Sequence, residues 1–177
     1  MAKNFKYLVA LIAVAIIGIA GANYFLVHRS IQLVLGSDTR NDGISVFAHY
    51  EYFAIPSVLV IDLRKVSGTN SPADVTRVLL QFAQSQKAKT YSQVKLAHSG
   101  TKKFILKGDY FQTLGVEFGE QNPVYTMRTL PENVYLLDGT AAFGTWTGGI
   151  LGVLGKQMED FSEFHKRWYV TDLANRP

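Results

Sequence analysis

The chain has 177 residues, no cysteine and a formal net charge of +4 at pH 7. Without cysteine there are no disulfides, no Cys-based zinc sites and no thiol nucleophile, and the length allows one domain with a real core but not two large ones. The modest charge, with no recognition motif beside its lysines, argues against a nucleic-acid partner.

The first thirty residues carry the strongest signal. Lys3 and Lys6 precede an uncharged run over residues 7–27 in which only Asn23 is strongly polar, and His28 and Arg29 close it. As a helix this run rises about 30 Å, the thickness of a bilayer's hydrocarbon core. It fits a signal peptide, with an apolar centre over residues 8–19 and Ala20-Gly21-Ala22 as an A-x-A cleavage site before Asn23. It fits an uncleaved anchor better, because Tyr24, Phe25, Leu26 and Val27 extend it into the spanning range. Tyr7, Leu8, Ile12, Ile16, Phe25 and Val27 are then expected to meet lipid. The flanking Lys and Arg residues lean towards a cytosolic N-terminus. The expected location is the inner membrane, crossed once, with the main domain periplasmic or otherwise extracytoplasmic. Residues 1–29 read as the anchor, 30–43 as a linker with a polar turn over 36–43, and 44–177 as the domain.

That domain reads as α+β, a small mixed unit with an antiparallel sheet and about three helices. Residues 44–53 are aromatic and ambiguous between strand and helix, whereas the branched residues of 57–66 predict a strand. Ser71, Pro72 and Asp74 form a helix start, with a capping hydroxyl, proline at the first position and a carboxylate at the third. Val75, Val78, Leu79 and Phe82 give that helix one buried stripe, ending near Gln86. A hairpin comes next. A three-residue loop over 99–101 pairs Leu96 with Phe104 and Val94 with Leu106, which sorts the faces and leaves Lys95, Lys103 and Lys107 mostly on the other side. Asp109 opens a second helix with Phe111, Leu114 and Phe118 inward and Gly119 as its stop. Residues 124–129 and 134–137 read as two strands, and 150–169 as a final helix.

Three features bear on function. Residues 75–108 hold seven basic side chains and no acid, whereas 109–138 hold five acids against one arginine. Lys95, Lys103 and Lys107 are therefore candidates for meeting anionic lipid headgroups or an acidic envelope protein, although such lysines also serve to protect an edge or solvent-facing strand. Residues 139–155 are uncharged and glycine-rich. Gly144, Gly148 and Gly152 recur every fourth residue, which suits close helix packing, with Leu at Gly148 or Gly152 expected to overpack it, and leaves open a second membrane span there. An ordered loop is the stronger expectation, with Phe143 and Trp146 as candidate binding residues. In the last helix, Leu151, Leu154, Met158, Phe161, His165 and Trp168 form one stripe, suited to a core or to a partner, including a second copy of the chain.

No phosphate-binding glycine motif, G-x-S-x-G elbow or clustered histidine is present, so neither a metal nor another cofactor is expected. These readings favour a membrane-anchored, non-catalytic binding or assembly module of the bacterial cell envelope. The catalytic alternative is an envelope hydrolase or transferase using Asp62, His98 or Asp138, though Asp62 and Arg64 on one strand face also read as a structural pair.

Overall fold

The computed structural model describes residues 2–175; Met1, Arg176 and Pro177, at the ends of the expected anchor and domain, lie outside the described residues. Helix α1 (Ala2–Asn23) continues through a π turn, Tyr24–His28, into α2 (Arg29–Ser37) without a break. Residues 6–37 form a helix long and apolar enough to cross a membrane, the one such helix among the described residues. The expected linker is thus corrected: its first eight residues are helix, and Val27 and Ile31 are fully buried in the domain core. The reason is tertiary, because α2 is amphipathic and packs its apolar side on the sheet. Val27, expected against lipid, belongs to that core.

The sheet has five strands in the order β1 (Ser45–Glu51), β2 (Ile55–Lys65), β3 (Gln93–His98), β4 (Thr101–Lys107), β5 (Val134–Tyr135). Three pairings are antiparallel and β2–β3 is parallel. A parallel pair needs a crossover, supplied by α3 (Pro72–Gln86). The fold is α+β with a mixed sheet. One sheet face carries Val46, Ala48, Leu59, Ile61, Leu63, Val94 and Leu96 into the core. There Ile31 of α2, Val78 and Phe82 of α3 and Trp168 near the C-terminus converge.

Helix α3 starts as its sequence predicts. The Ser71 side chain accepts from the Asp74 N–H while Asp74 Oδ2 accepts from the Ser71 N–H at 2.8 Å, a reciprocal capping box. The hairpin pairs Leu96 with Phe104 and Val94 with Leu106 as expected, but its loop is shorter than expected. Ser99 and Gly100 both have positive φ, 50° and 86°, as a two-residue type I′ turn requires. His98 then pairs with Thr101 and Ala97 with Lys102, and a register shift after Leu96 absorbs the extra residue. In the β1–β2 hairpin, Tyr52 and Phe53 have φ of 50° and 60°. Left-handed backbone at such side chains costs roughly 1–2 kcal/mol each.

Helix α4 (Gly108–Glu117) buries Phe111 and Leu114 and ends before Gly119, whose φ is 92°. Two glycines sit where no side chain fits: a Cβ at Gly115 would lie 2.3 Å from the Ala83 carbonyl oxygen, and one at Gly108 would collide with that of Tyr91. By contrast, Gly148 and Gly152 meet nothing within 4 Å, so the expected close packing there is corrected. Residues 124–129, expected as strand, belong to helix α5 (Pro123–Thr129). Asn122 caps it through the Val124 N–H and Pro123 takes the first position, a start signal that outweighs the β-branched content. Leu130–Asn133 is a 3-10 turn leading to the short β5. Helix α6 (Ile150–His165) passes through a π turn, Lys166–Val170, to α7 (Thr171–Ala174). Residues 142–149 lie outside helix and strand, the chain turns at 137–139, and Ala141 makes one bridge to Tyr135. A second span over 139–155 is therefore not formed.

Candidate functional site

The basic residues are largely paired. On the sheet face opposite the core, the Glu51 carboxylate, itself 4% exposed, accepts from Lys95 at 2.9 Å and Lys102 at 2.6 Å. Burial pulls its pKa up, but the two ammonium groups outweigh that, and the carboxyl titrates below its ordinary value. On the same face Asp62 pairs with Arg64 at 2.5 Å and accepts from the Gly100 N–H at 3.0 Å, which ties the strand to the I′ turn. The pairing expected of Asp62 and Arg64 is thus present. Lys103 meets Asp172 at 2.9 Å, and the Lys107 ammonium lies 4.9 Å from the Tyr135 ring centre. Lys95, Lys103 and Lys107 thus have separate partners and do not combine into one free cationic patch. Only the alternation of charge along β3 and β4 could have suggested a partner for them, and Glu51, the acid two of the basic side chains share, lies in the segment whose sequence is ambiguous between strand and helix.

The residues of the catalytic alternative are spread out. His98 faces the helical side and is 1% exposed. Its Nδ1 lies 2.9 Å from Asp172 Oδ2, and its Nε2 is buried without a partner. Hydrogen bonds from His98 and then Lys103 hold the Asp172 carboxyl below the ordinary range. Asp62, paired across β2–β3 with Ala97 and not with His98, points to the opposite face. Asp138 closes its own turn, accepting from the N–H and hydroxyl of Thr140 at 2.9 and 2.7 Å. His165 is a core residue: its Nε2 lies 3.0 Å from the Thr76 hydroxyl, which donates to the Pro72 carbonyl. Burial lowers its pKa to about 3, so it is neutral. Among the described residues no three potential metal ligands cluster.

The glycine-rich segment and α6 present a different surface. Phe143 is half-buried, packed 6.2 Å from the Phe104 ring and 6.3 Å from that of Phe164, with the Arg167 guanidinium 5.2 Å from its centre. It helps close the core. Trp146 stays accessible, its Nε1 donating to Asp160 at 2.6 Å and the Lys156 ammonium standing 5.7 Å from its ring. The loop is thereby docked on the side of α6. The apolar stripe of α6 splits: Phe161, Phe164, His165 and, beyond them, Trp168 are buried, whereas Leu151 is 83%, Met158 40% and Leu154 37% exposed. Leu151, Leu154 and Met158 lie within about 60° of arc on one helix side. Charged Lys156 and Glu159 bond each other at 2.8 Å beside that stripe. The result is a narrow uncovered apolar strip with a polar rim, chemistry suited to a protein contact.

In comparisons with known proteins, the chain matches no protein-family model, no curated protein and no solved structure.

Proposed function

We propose that this chain is a membrane-anchored binding or assembly module of the bacterial cell envelope, held at the outer side of the inner membrane and engaging a partner protein through the uncovered half of α6. One observation carries the reading: Leu151, Leu154 and Met158 form an exposed apolar strip that continues the buried stripe of the same helix. Leaving such a strip in water is unfavourable by about 25 cal/mol per Å² of apolar surface, and a monomer's exposed apolar patches tend to be contact sites. The anchor supports the same reading. Its last turns lie in the core, so the domain is held at a set height and orientation, which suits assembly beside other membrane proteins.

The test is site-specific photocrosslinking of the full chain in its native membranes. A photoreactive side chain at Leu151 or Met158 is expected to give a defined adduct, absent from Glu163 on another side of α6. Leu151→Asp should weaken the adduct formed from Met158 by about tenfold or more, as loss of a contact worth over 1 kcal/mol does. Absence of adducts from all of Leu151, Leu154 and Met158, or adducts indifferent to Leu151→Asp, would overturn the reading. A reporter fused after the domain should be active outside the cytosol; cytosolic activity would reverse the orientation.

A further inference from the structure

The β1–β2 hairpin ends in Tyr52, Phe53, Ala54, Ile55, Pro56 and Ser57, six consecutive exposed residues without a charge. Tyr52 is 74%, Phe53 43% and Ile55 40% exposed. A turn in water is better served by Asn and Gly, which adopt positive φ at little cost. Here two bulky aromatics are held in that conformation instead.

The place of this tip along the apolar helix gives a reason. Asn23, the one strongly polar residue of the apolar run, donates from Nδ2 to the Phe53 carbonyl at 2.7 Å and accepts at Oδ1 from the Tyr50 N–H at 2.8 Å. The hairpin is thereby clamped to the helix at the level of Asn23. At about 1.5 Å per residue, Asn23 lies roughly 25 Å along the axis from Lys6, still within the ~30 Å of a hydrocarbon core. Tyr24, Phe25 and Leu26 are exposed at the same level, and between hairpin and helix lies a cleft of about 230 Å³ lined by Ala20, Tyr24, His28, Phe47 and Phe53 among others. Aromatic side chains at this depth form the belt that membrane proteins place at the lipid boundary. Charge agrees: Glu51, the acid next to the tip, is neutralised by Lys95 and Lys102. Lys89 binds the Leu26 carbonyl, about 4.5 Å beyond Asn23 and roughly 30 Å from Lys6, beside an exposed Lys87, so cations stand where the hydrocarbon core gives way to the headgroups.

We propose that the hairpin tip, Tyr52 to Ile55, inserts into the lipid interface beside the helix, as a second membrane contact that fixes the tilt of the domain. The inference rests on the helix spanning the membrane. The partner on this side is the bilayer, because the backbone of the tip is bonded to a residue of the apolar run itself. Phe53 and Ile55 enter the acyl boundary, while Tyr52, whose ring carries the Lys102 ammonium at 4.8 Å, stays with Lys87 and Lys89 at the level of the headgroups.

The absence of cysteine makes the test direct. Single-cysteine variants of the full chain, Leu11→Cys, Ala54→Cys, Ile55→Cys and Thr101→Cys, are spin-labelled and reconstituted into mixed phosphatidylcholine and phosphatidylglycerol vesicles. Collisions with oxygen, which enriches in lipid, are compared with those of a water-soluble nickel chelate. Labels at Leu11, Ala54 and Ile55 should favour oxygen, and the label at Thr101, in the hairpin at the other end of the sheet, should favour nickel. Leu11 in lipid with both Ala54 and Ile55 as aqueous as Thr101 would overturn the inference while leaving the anchor intact. An aqueous Leu11 would instead overturn the anchor, and the inference with it.

Discussion

The N-terminal helical run and α6 are each divided in the same way: one half lies in the domain core, and the other leaves apolar side chains uncovered. The uncovered halves differ in how those side chains are distributed around the axis. Along α1, Leu11, Val14, Ile16 and Ile17 are exposed on every side, the pattern of a helix that could cross a membrane. On α6, the exposed Leu151, Leu154 and Met158 form a strip beside Lys156 and Glu159, and the proposed protein contact rests on that strip. The angular spread of the apolar residues, more than their number, is what distinguishes the two helices.

The sharpest break of this comparison is a charge placed in the buried part of the first helix. Ile31→Asp puts an unpaired carboxylate where Ile31 is fully buried. It should cost several kcal/mol, comparable with a domain's whole stability of roughly 5–15 kcal/mol, and remove the cooperative unfolding transition. Leu33→Asp, at a site 64% exposed in the same turn, should keep it. Equal effects would mean that α2 is not part of the folded unit.

A smaller effect is expected within α6. Phe164→Ala removes a fully buried ring that meets Phe104, Phe143 and Trp168, at a cost of about 3–5 kcal/mol. Leu151→Ala should change stability by less than about 0.5 kcal/mol. Denaturant titration of both variants reads the difference, and a large loss for Leu151→Ala would show the strip to be covered within the chain.

The smallest effect at neutral pH comes from His165, on the buried half of α6. Its folded pKa of about 3 lies below the ordinary 6.5 because burial disfavours the imidazolium. Below 6.5 the unfolded chain therefore binds the proton first, so this contribution is complete above pH 6.5 and is lost as pH falls towards 3. His165→Phe or His165→Met should flatten the fall of the unfolding temperature between pH 6.5 and 4. An unchanged slope would mean that acid sensitivity arises elsewhere, in carboxylates such as Glu51 or Asp172 whose lowered pKa values act in the same direction.

Local signals are legible where the residues that carry them also complete the interaction. Ser71 and Asp74 cap α3 within one turn, and Leu96 finds Phe104 because any other register would turn core residues outward. The hairpin loop is tighter than the face pattern alone predicts, because a bulge near Lys103 allows the same core pairs with a two-residue turn. The side chains of 124–129 read as strand, yet the deciding signal, Asn122 before Pro123, stands just upstream. Phe143 and Trp146 occur close together in an uncharged loop, but one closes the core and the other docks on Asp160. Which aromatic does which depends on a helix later in the chain.

The sequence by itself determined the apolar run long enough to cross a membrane, the α+β character of the domain after it, and the amphipathic stripe of the last helix. Each of these arises from periodicity or from caps that act over a few residues. Only the tertiary structure decided that Asn23 clamps a hairpin, that Ile31 belongs to the core, that Gly108 and Gly115 are packed too closely for a side chain, and that Lys95, Lys102 and Lys103 are held by Glu51 and Asp172. Those outcomes depend on groups brought together from distant parts of the chain. For Asn23 and Tyr50, or Lys103 and Asp172, proximity exists only once the sheet and its helices have packed.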